Sequence, residues 1–219
     1  MKKARRWLIL ALLVASVFPF AACGSKPTMT PTPSPTPGTP RPTTTPTGTA
    51  KTLQWSSPPP MTIDAAREYV ATIKTNYGDV VVQLLPKDAP VAVNSFVFLA
   101  RQGFFDGVKF HRVVKDFMIQ SGDPTGTGAG GPGYQFVNED SDLMFDKAGV
   151  VAMANAGRDT NGSQFFITFV PAAQLNGDYT IFGQVIEGMD VVNGITRRDP
   201  QRSPNFPGDA IESITITEK

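Results

Sequence analysis

Phe110-His111-Arg112-Val113-Val114-Lys115-Asp116-Phe117-Met118-Ile119-Gln120-Ser121-Gly122-Asp123 strings an arginine, two bulky apolar side chains and an amide along one alternating segment. A two-residue alternation is the mark of a strand, because successive side chains point to opposite faces of a sheet. The stretch predicts strands over 108–114 and 117–121 that carry a reactive surface. His111 and Arg112 are neighbours, so they face opposite ways. With Arg112 on an outer groove, His111 faces the interior and is read as structural. About forty residues on, Met153-Ala154-Asn155-Ala156-Gly157 and Asn161-Gly162-Ser163-Gln164-Phe165-Phe166-Ile167-Thr168 form a second cluster of the same kind.

Further strands are predicted around these two. Tyr69 to Thr75 and Asp79 to Leu85 flank Asn76-Tyr77-Gly78, a short connection typical of a hairpin. Others fall at 149–153, 163–168, 182–187 and 211–217, making eight in all. Between the second and third, Pro90 to Gly103 begins on proline and stops at glycine, as a helix does, although its β-branched residues require support from packing. A second short helix is predicted from Gly188 to Gly194. The expected fold is mainly β: a closed eight-stranded antiparallel barrel, free of exposed sheet edges and capped by two helices.

Taken alone, Arg112, Phe117, Met118 and Gln120 also fit an ordinary strand pair with a solvated arginine and two core side chains. The spacing of both clusters, however, resembles the cyclophilin family of peptidyl-prolyl cis/trans isomerases, and the resemblance spans residues 67–217. It implies the barrel architecture and a proline-binding groove on its outer surface. By that resemblance Arg112 and Gln120 are the catalytic positions. Phe117, Met118, Ala154, Asn155, Gln164, Phe166, Leu175 and Tyr179 are then the substrate-binding ones. Gln174 stands where the best-known eukaryotic members have tryptophan and Tyr179 where they have histidine, so weak cyclosporin binding is expected. The implied activity is non-covalent isomerisation of X-Pro bonds in peptides and unfolded exported proteins, without cofactor. A proline-binding module that holds chains without accelerating their isomerisation is the rival reading.

Composition narrows the remaining possibilities. The 219 residues carry a net charge of +1, which indicates no nucleic-acid partner. One cysteine and one histidine cannot make an intramolecular disulfide or a zinc site of the usual Cys/His types. Gly126-Thr127-Gly128-Ala129-Gly130-Gly131 satisfies the dinucleotide-binding glycine pattern, but Pro132-Gly133 follows where a helix is required, so it is read as a flexible surface loop. A monomer is expected.

The N-terminus has the layout of a secretory signal: Lys2, Lys3, Arg5 and Arg6, an apolar run from Trp7 to Phe20, then Ala21-Ala22-Cys23. The run is shorter than the ~20 residues that span a bilayer, which favours cleavage over a permanent anchor. Cys23 resembles the lipidated cysteine of bacterial lipoproteins, with Phe20 departing from the usual leucine; a free thiol in a secreted protein is the alternative. From Lys26 to Pro60 the chain collapses into Pro and Thr and cannot build a core. As extended polyproline II it reaches roughly 100 Å. The expected organisation is a signal peptide at 1–22, a lipidated N-terminus and linker at 23–60, and the isomerase domain at 61–219. The expected location is the outer face of the bacterial cytoplasmic membrane, lipid-anchored, with a soluble secreted or signal-anchored form as the alternatives.

Overall fold

Strand alternation governs how the chain folds from its first hairpin onward. In β1 (Tyr69–Thr75) every second side chain is buried, and the strand pairs with β2 (Gly78–Leu84) in a register running from Val70 opposite Gln83 to Thr75 opposite Gly78. The computed structural model describes residues 53–199 and 205–219, which belong to one compact unit, Thr49–Lys219. The predicted signal and Cys23 lie outside the described residues, as does the linker up to residue 52.

The later elements are α1 (Pro90–Arg101), β3 (Arg112–Val114), β4 (Met118–Ser121), β5 (Val150–Met153), β6 (Phe165–Thr168), a 3-10 turn (Ala173–Leu175), β7 (Ile181–Glu187), α2 (Met189–Gly194) and β8 (Ile211–Glu218). All pairings are antiparallel, in the order β3-β4-β6-β5-β7-β2-β1-β8. The eight predicted strands and both helices are therefore present. Among the described residues no helix is long and apolar enough to cross a membrane.

The sheet is a curled half-barrel rather than the closed barrel expected, because the outer edge of β3 is spent on another partner and only the chain before it reaches the start of β8. The predicted strand 108–114 is strand only over Arg112–Val114. The chain from Gly107 to Phe110 pairs instead with the first residue of β8 and those just before it: Gly107 N–H donates to Ile211 O at 2.8 Å and Phe110 N–H to Asp209 O at 2.8 Å. The free edge of β3 is taken instead by Arg198, whose N–H and C=O exchange hydrogen bonds with Val113 at 3.1 and 2.6 Å. No backbone group of Val113 is left to join β8.

The concave face holds the main core. α1 lays Phe96 against Phe105, Phe165 and Phe182 at ring separations of 5.1, 5.5 and 5.3 Å, and each such buried ring contributes about 1.5–3 kcal/mol. α1 has no side-chain cap of its own at Ala89. Glu139, from a distant loop, accepts Val91 N–H and Ala92 N–H at 2.8 Å each, so the helix start is capped across the fold. Burial pushes the Glu139 carboxyl above its ordinary range, and these two N–H groups oppose that rise.

His111 faces the interior as alternation requires, at 2 % exposure, while Arg112 is exposed. Neither ring nitrogen of His111 has a hydrogen-bond partner. Burial lowers its pKa from the ordinary 6.5; the Asp123 carboxylate opposes this, and Arg198 and Arg112 add to the lowering. A proton bound by the unfolded chain near pH 6.5 is thus refused by the folded one. Stability should fall as the pH drops below about 6.5 toward the depressed folded value, by at most about 1.4 kcal/mol per pH unit. Urea melts between pH 7 and 5 are expected to show this slope and His111→Gln to flatten it. An unchanged slope in the variant would exclude His111 as its source.

Candidate functional site

The register of four strands draws one line across the convex face. Arg112 pairs with Gln120, Gln120 with Phe166, and Phe166 with Ala152. Side chains opposite one another in successive ladders share a face, and strands lie about 4.8 Å apart, so the Arg112 backbone lies about 10 Å from that of Phe166 across the sheet. The next row on the same face is Val114, Met118 and Thr168. The row between them, Val113, Ile119, Ile167 and Val151, points the other way into the main core.

An apolar cluster therefore builds up on the outside of the sheet. Met118, Phe145, Val150, Ala152, Phe166, Ala172 and Ile181 are buried, and Phe117, Ala154, Leu175 and Tyr179 pack against them half-exposed. Phe145 stacks on Phe166 at 5.7 Å with an interplanar angle of 15°, and Tyr179 meets the same ring edge-on at 5.3 Å. Phe117 sits at the β3–β4 turn, where Asp116 adopts φ 56°, a left-handed conformation that aspartate tolerates. Leu175 arrives from the 3-10 turn, and Gln174 beside it is exposed.

The polar members sit on the other flank. Gln120 Nε2 donates to Gln164 Oε1 at 2.9 Å, and Gln164 Nε2 donates to Gly128 O and Gly130 O at 3.0 and 2.9 Å. Ala154 N–H closes the last bond to Gln164 O at 2.9 Å, and Asn155 lies one residue beyond that pairing. Gln120, Ala154, Asn155 and Gln164 line a cavity of about 860 Å³ that lies beside the apolar cluster. No hydrogen bond or ion pair engages the Arg112 guanidinium among the described residues. The structure thus brings the predicted residues to one face in two adjoining groups, apolar and amide-lined, with Arg112 at the end of the row that joins them.

The glycine loop after β4 differs from its reading as flexible. Asp123, fully buried, accepts Thr125 N–H and Oγ1–H at 2.7 Å, Thr127 N–H at 3.0 Å and Gly128 N–H at 2.6 Å. Burial alone would raise its carboxyl, but these bonds from Thr125 and the Gly128 and Gly130 amides outweigh it and hold the group below its ordinary range. A Cβ at Gly130 would run into the Asp123 carboxylate, so only glycine lets the chain wrap this closely. The loop runs on through Pro132 and Gly133 with no helix after it. Among the described residues no group of His, Cys, Asp and Glu is placed to hold a metal ion.

Sequence reading missed Phe145, because it lies on an irregular segment where no period marks it. It also missed Asp123, whose signal was present: Asp-x-Thr-x-Thr after a strand is a set of short side chains able to satisfy a turn's amides.

Comparisons with known proteins place the domain as a whole. Residues 70–216 match the family model described as cyclophilin type peptidyl-prolyl cis-trans isomerase/CLD. The human peptidyl-prolyl cis-trans isomerase-like 1 is 51% identical over 138 residues, covering 60% of this chain and 83% of that protein. A peptidyl-prolyl cis-trans isomerase of Helicobacter pylori is 43% identical over 157 residues, covering 70% and 90%. Peptidyl-prolyl cis-trans isomerase A of Mycobacterium tuberculosis is 49% identical over 168 residues, covering 67% and 91%. The crystal structure of a Cryptosporidium parvum cyclophilin superposes with a TM-score of 0.65 at 38% identity, covering 70% of this chain and 99% of that one. A second structure of that protein, in the presence of the dipeptide Ala-Pro, gives a TM-score of 0.60 at 37% identity, covering 68% and 99%. With the family model spanning both clusters and the strand order that aligns them, the chain belongs to the cyclophilin-type peptidyl-prolyl cis-trans isomerases.

Proposed function

We propose that the convex face isomerises X-Pro bonds of peptides and of unfolded exported proteins, with Arg112 as the catalytic group. The observation that carries this reading is the row Arg112–Gln120–Phe166, which sets an uncommitted guanidinium beside an apolar seat for a ring. The Ala-Pro dipeptide present with the Cryptosporidium parvum protein supports proline-containing peptides as ligands.

The barrier to rotation, about 18–20 kcal/mol, is the amide resonance lost at the twisted geometry. As the bond twists, the prolyl nitrogen turns pyramidal and regains its lone pair. Arg112 donates a hydrogen bond to that lone pair, which is delocalised in the planar ground state, so the contact strengthens where the barrier is highest. Phe117, Met118, Phe166 and Leu175 hold the pyrrolidine ring while the preceding carbonyl rotates, and Tyr179 closes the seat by its edge contact with Phe166. Gln120 has committed its amide N–H to Gln164, which leaves Oε1 to orient the guanidinium. The main chain of Asn155 pairs with the substrate backbone, and Ala154 keeps that approach open. No covalent intermediate and no cofactor enters.

The signal layout and Cys23 support placement on the outer face of the cytoplasmic membrane, where slow prolyl steps delay the folding of chains emerging unfolded. A diacylated Cys23 would provide the two buried chains that stable anchoring needs.

Arg112→Ala is expected to lower kcat/KM on an Ala-Pro peptide by about two to three decades, a loss of about 3–4 kcal/mol of transition-state stabilisation. Protease-coupled kinetics with a thermal melt of the variant measure this, and retained activity would refute the role given to Arg112. Cyclosporin should inhibit the wild type less than it inhibits Gln174→Trp; equal inhibition would show that the exposed residue at 174 does not govern that binding. The intact mass of protein expressed with its signal should correspond to a chain starting at Cys23 with added lipid. An unmodified Cys23 or an uncleaved signal would exclude the anchor.

A further inference from the structure

The stretch 53–60, assigned by composition to the linker, is built into the domain. Leu53 and Trp55 pack against the main core, and the Trp55 ring stands edge-on to Phe98 at 5.2 Å and tilted to Phe104 at 6.0 Å. Trp55 N–H donates to Pro132 O at 2.9 Å, and Gln54 Nε2 donates to Gly131 O at 2.8 Å. Farther along, Asn94 Nδ2 donates to Pro60 O at 3.0 Å and Asn94 Oδ1 accepts Thr62 N–H at 2.9 Å. Gly133, at φ +91°, lies so close that a Cβ there would meet Trp55 O and Gln54 Oε1. These contacts seat the strap on the glycine loop held by Asp123.

Gln54 thereby becomes part of the wall of the 860 Å³ cavity whose other side carries Gln120, Ala154, Asn155 and Gln164. None of the side chains lining that cavity is charged; amides, hydroxyls and glycine backbone alternate there with small apolar groups such as Ala129, Ala154 and Ala156. Gln54 lies outside the segment matched by the family model, which begins at residue 70.

We propose that this strap is a specificity-determining part of the substrate site, with Gln54 selecting an uncharged polar side chain on a residue close to the proline. The inference rests on the isomerase reading above. A substrate whose proline occupies the apolar seat passes Gln120 and Ala154, and a neighbouring side chain then enters the cavity between Gln164 and Gln54. Amide and hydroxyl groups find partners there, whereas a Lys or Glu side chain gives up hydration without an opposite charge to meet it.

The test uses the full chain and a series of proline-containing tetrapeptides bearing Gln, Lys or Glu at each non-proline position in turn. At one position the wild type should favour Gln over both charged residues. Gln54→Glu should raise the ratio of kcat/KM for Lys over Glu peptides at that position, and Gln54→Lys should lower it, each by about three- to fivefold. Both shifts should shrink as salt is raised. Asn76→Asp, an equal change of charge in the exposed β1–β2 turn, should leave the ratio as it is. Ratios at every position that ignore residue 54, or that move alike in all three variants, would overturn the role of the strap. Failure of the wild type to isomerise any peptide of the series would instead sink the isomerase reading beneath it.

Discussion

Because a strand turns its side chains over every second residue, one short sequence must furnish two different surfaces at once, and in this chain β3, β4, β6 and β5 do so in register. Val113, Ile119, Ile167 and Val151 fill the concave core, while Arg112, Gln120, Phe166 and Ala152 cross the convex face between them. A slip of one residue would exchange the two rows on the strand that moves, and in β3 it would bury the guanidinium. Several devices hold the register. Arg198 occupies the outer edge of β3, and its guanidinium donates to His111 O and Phe206 O, fixing the carbonyl next to Arg112. At the far end of β4, Gly122 lies so close to Ser163 O that a side chain would force the β4–β6 pair apart.

A row of side chains becomes a site only when the polar ones are held still. Gln120 is held by Gln164, Gln164 by two loop carbonyls, and the loop by the buried carboxylate of Asp123. Each amide link contributes about 0.5–1.5 kcal/mol net, and each bond to the Asp123 carboxylate about 1.5–3 kcal/mol. Together they leave an amide beside Arg112 with few orientations to lose when a substrate arrives, which lowers the entropic cost of reaching a defined geometry. Phe145 and Tyr179 do the same for the apolar half by fixing the Phe166 ring from two directions.

Much of this was legible in the residues because period-two patterns are local. The strands, α1 and α2 emerged from alternation and from proline and glycine punctuation, and the opposition of His111 and Arg112 followed from adjacency. Closure of the barrel was not legible. Whether β3 meets β8 depends on which partner reaches the edge of Val113 first, and Arg198 lies eighty-five positions away in a segment with no strand pattern. The ten substrate-site residues were located through the family resemblance; alternation alone leaves Met118 and Ile119 equally apolar and gives no ground for placing one outside. The glycine loop reads as slack from composition, but glycine content signals freedom only when no side chain nearby consumes the amides, and Asp123 consumes several.

The strap was hidden by composition for a related reason. Pro58-Pro59-Pro60 continues the Pro-rich pattern of the linker, so composition places the boundary after it, although Trp55 lies before it. Proline makes such a run easy to dock. It carries no N–H that burial would strand, and its fixed φ means little backbone entropy is lost on ordering. What the run must find is a donor for its carbonyls, and Asn94 in α1 supplies one to Pro59 O and Pro60 O at 3.4 and 3.0 Å. With the triplet tied at one end and the Trp55 ring wedged against Phe98 at the other, the intervening chain has little slack. Gln54, one residue before the wedge, is thereby kept at the rim of the cavity, so the same features that end the linker also complete a wall of the site.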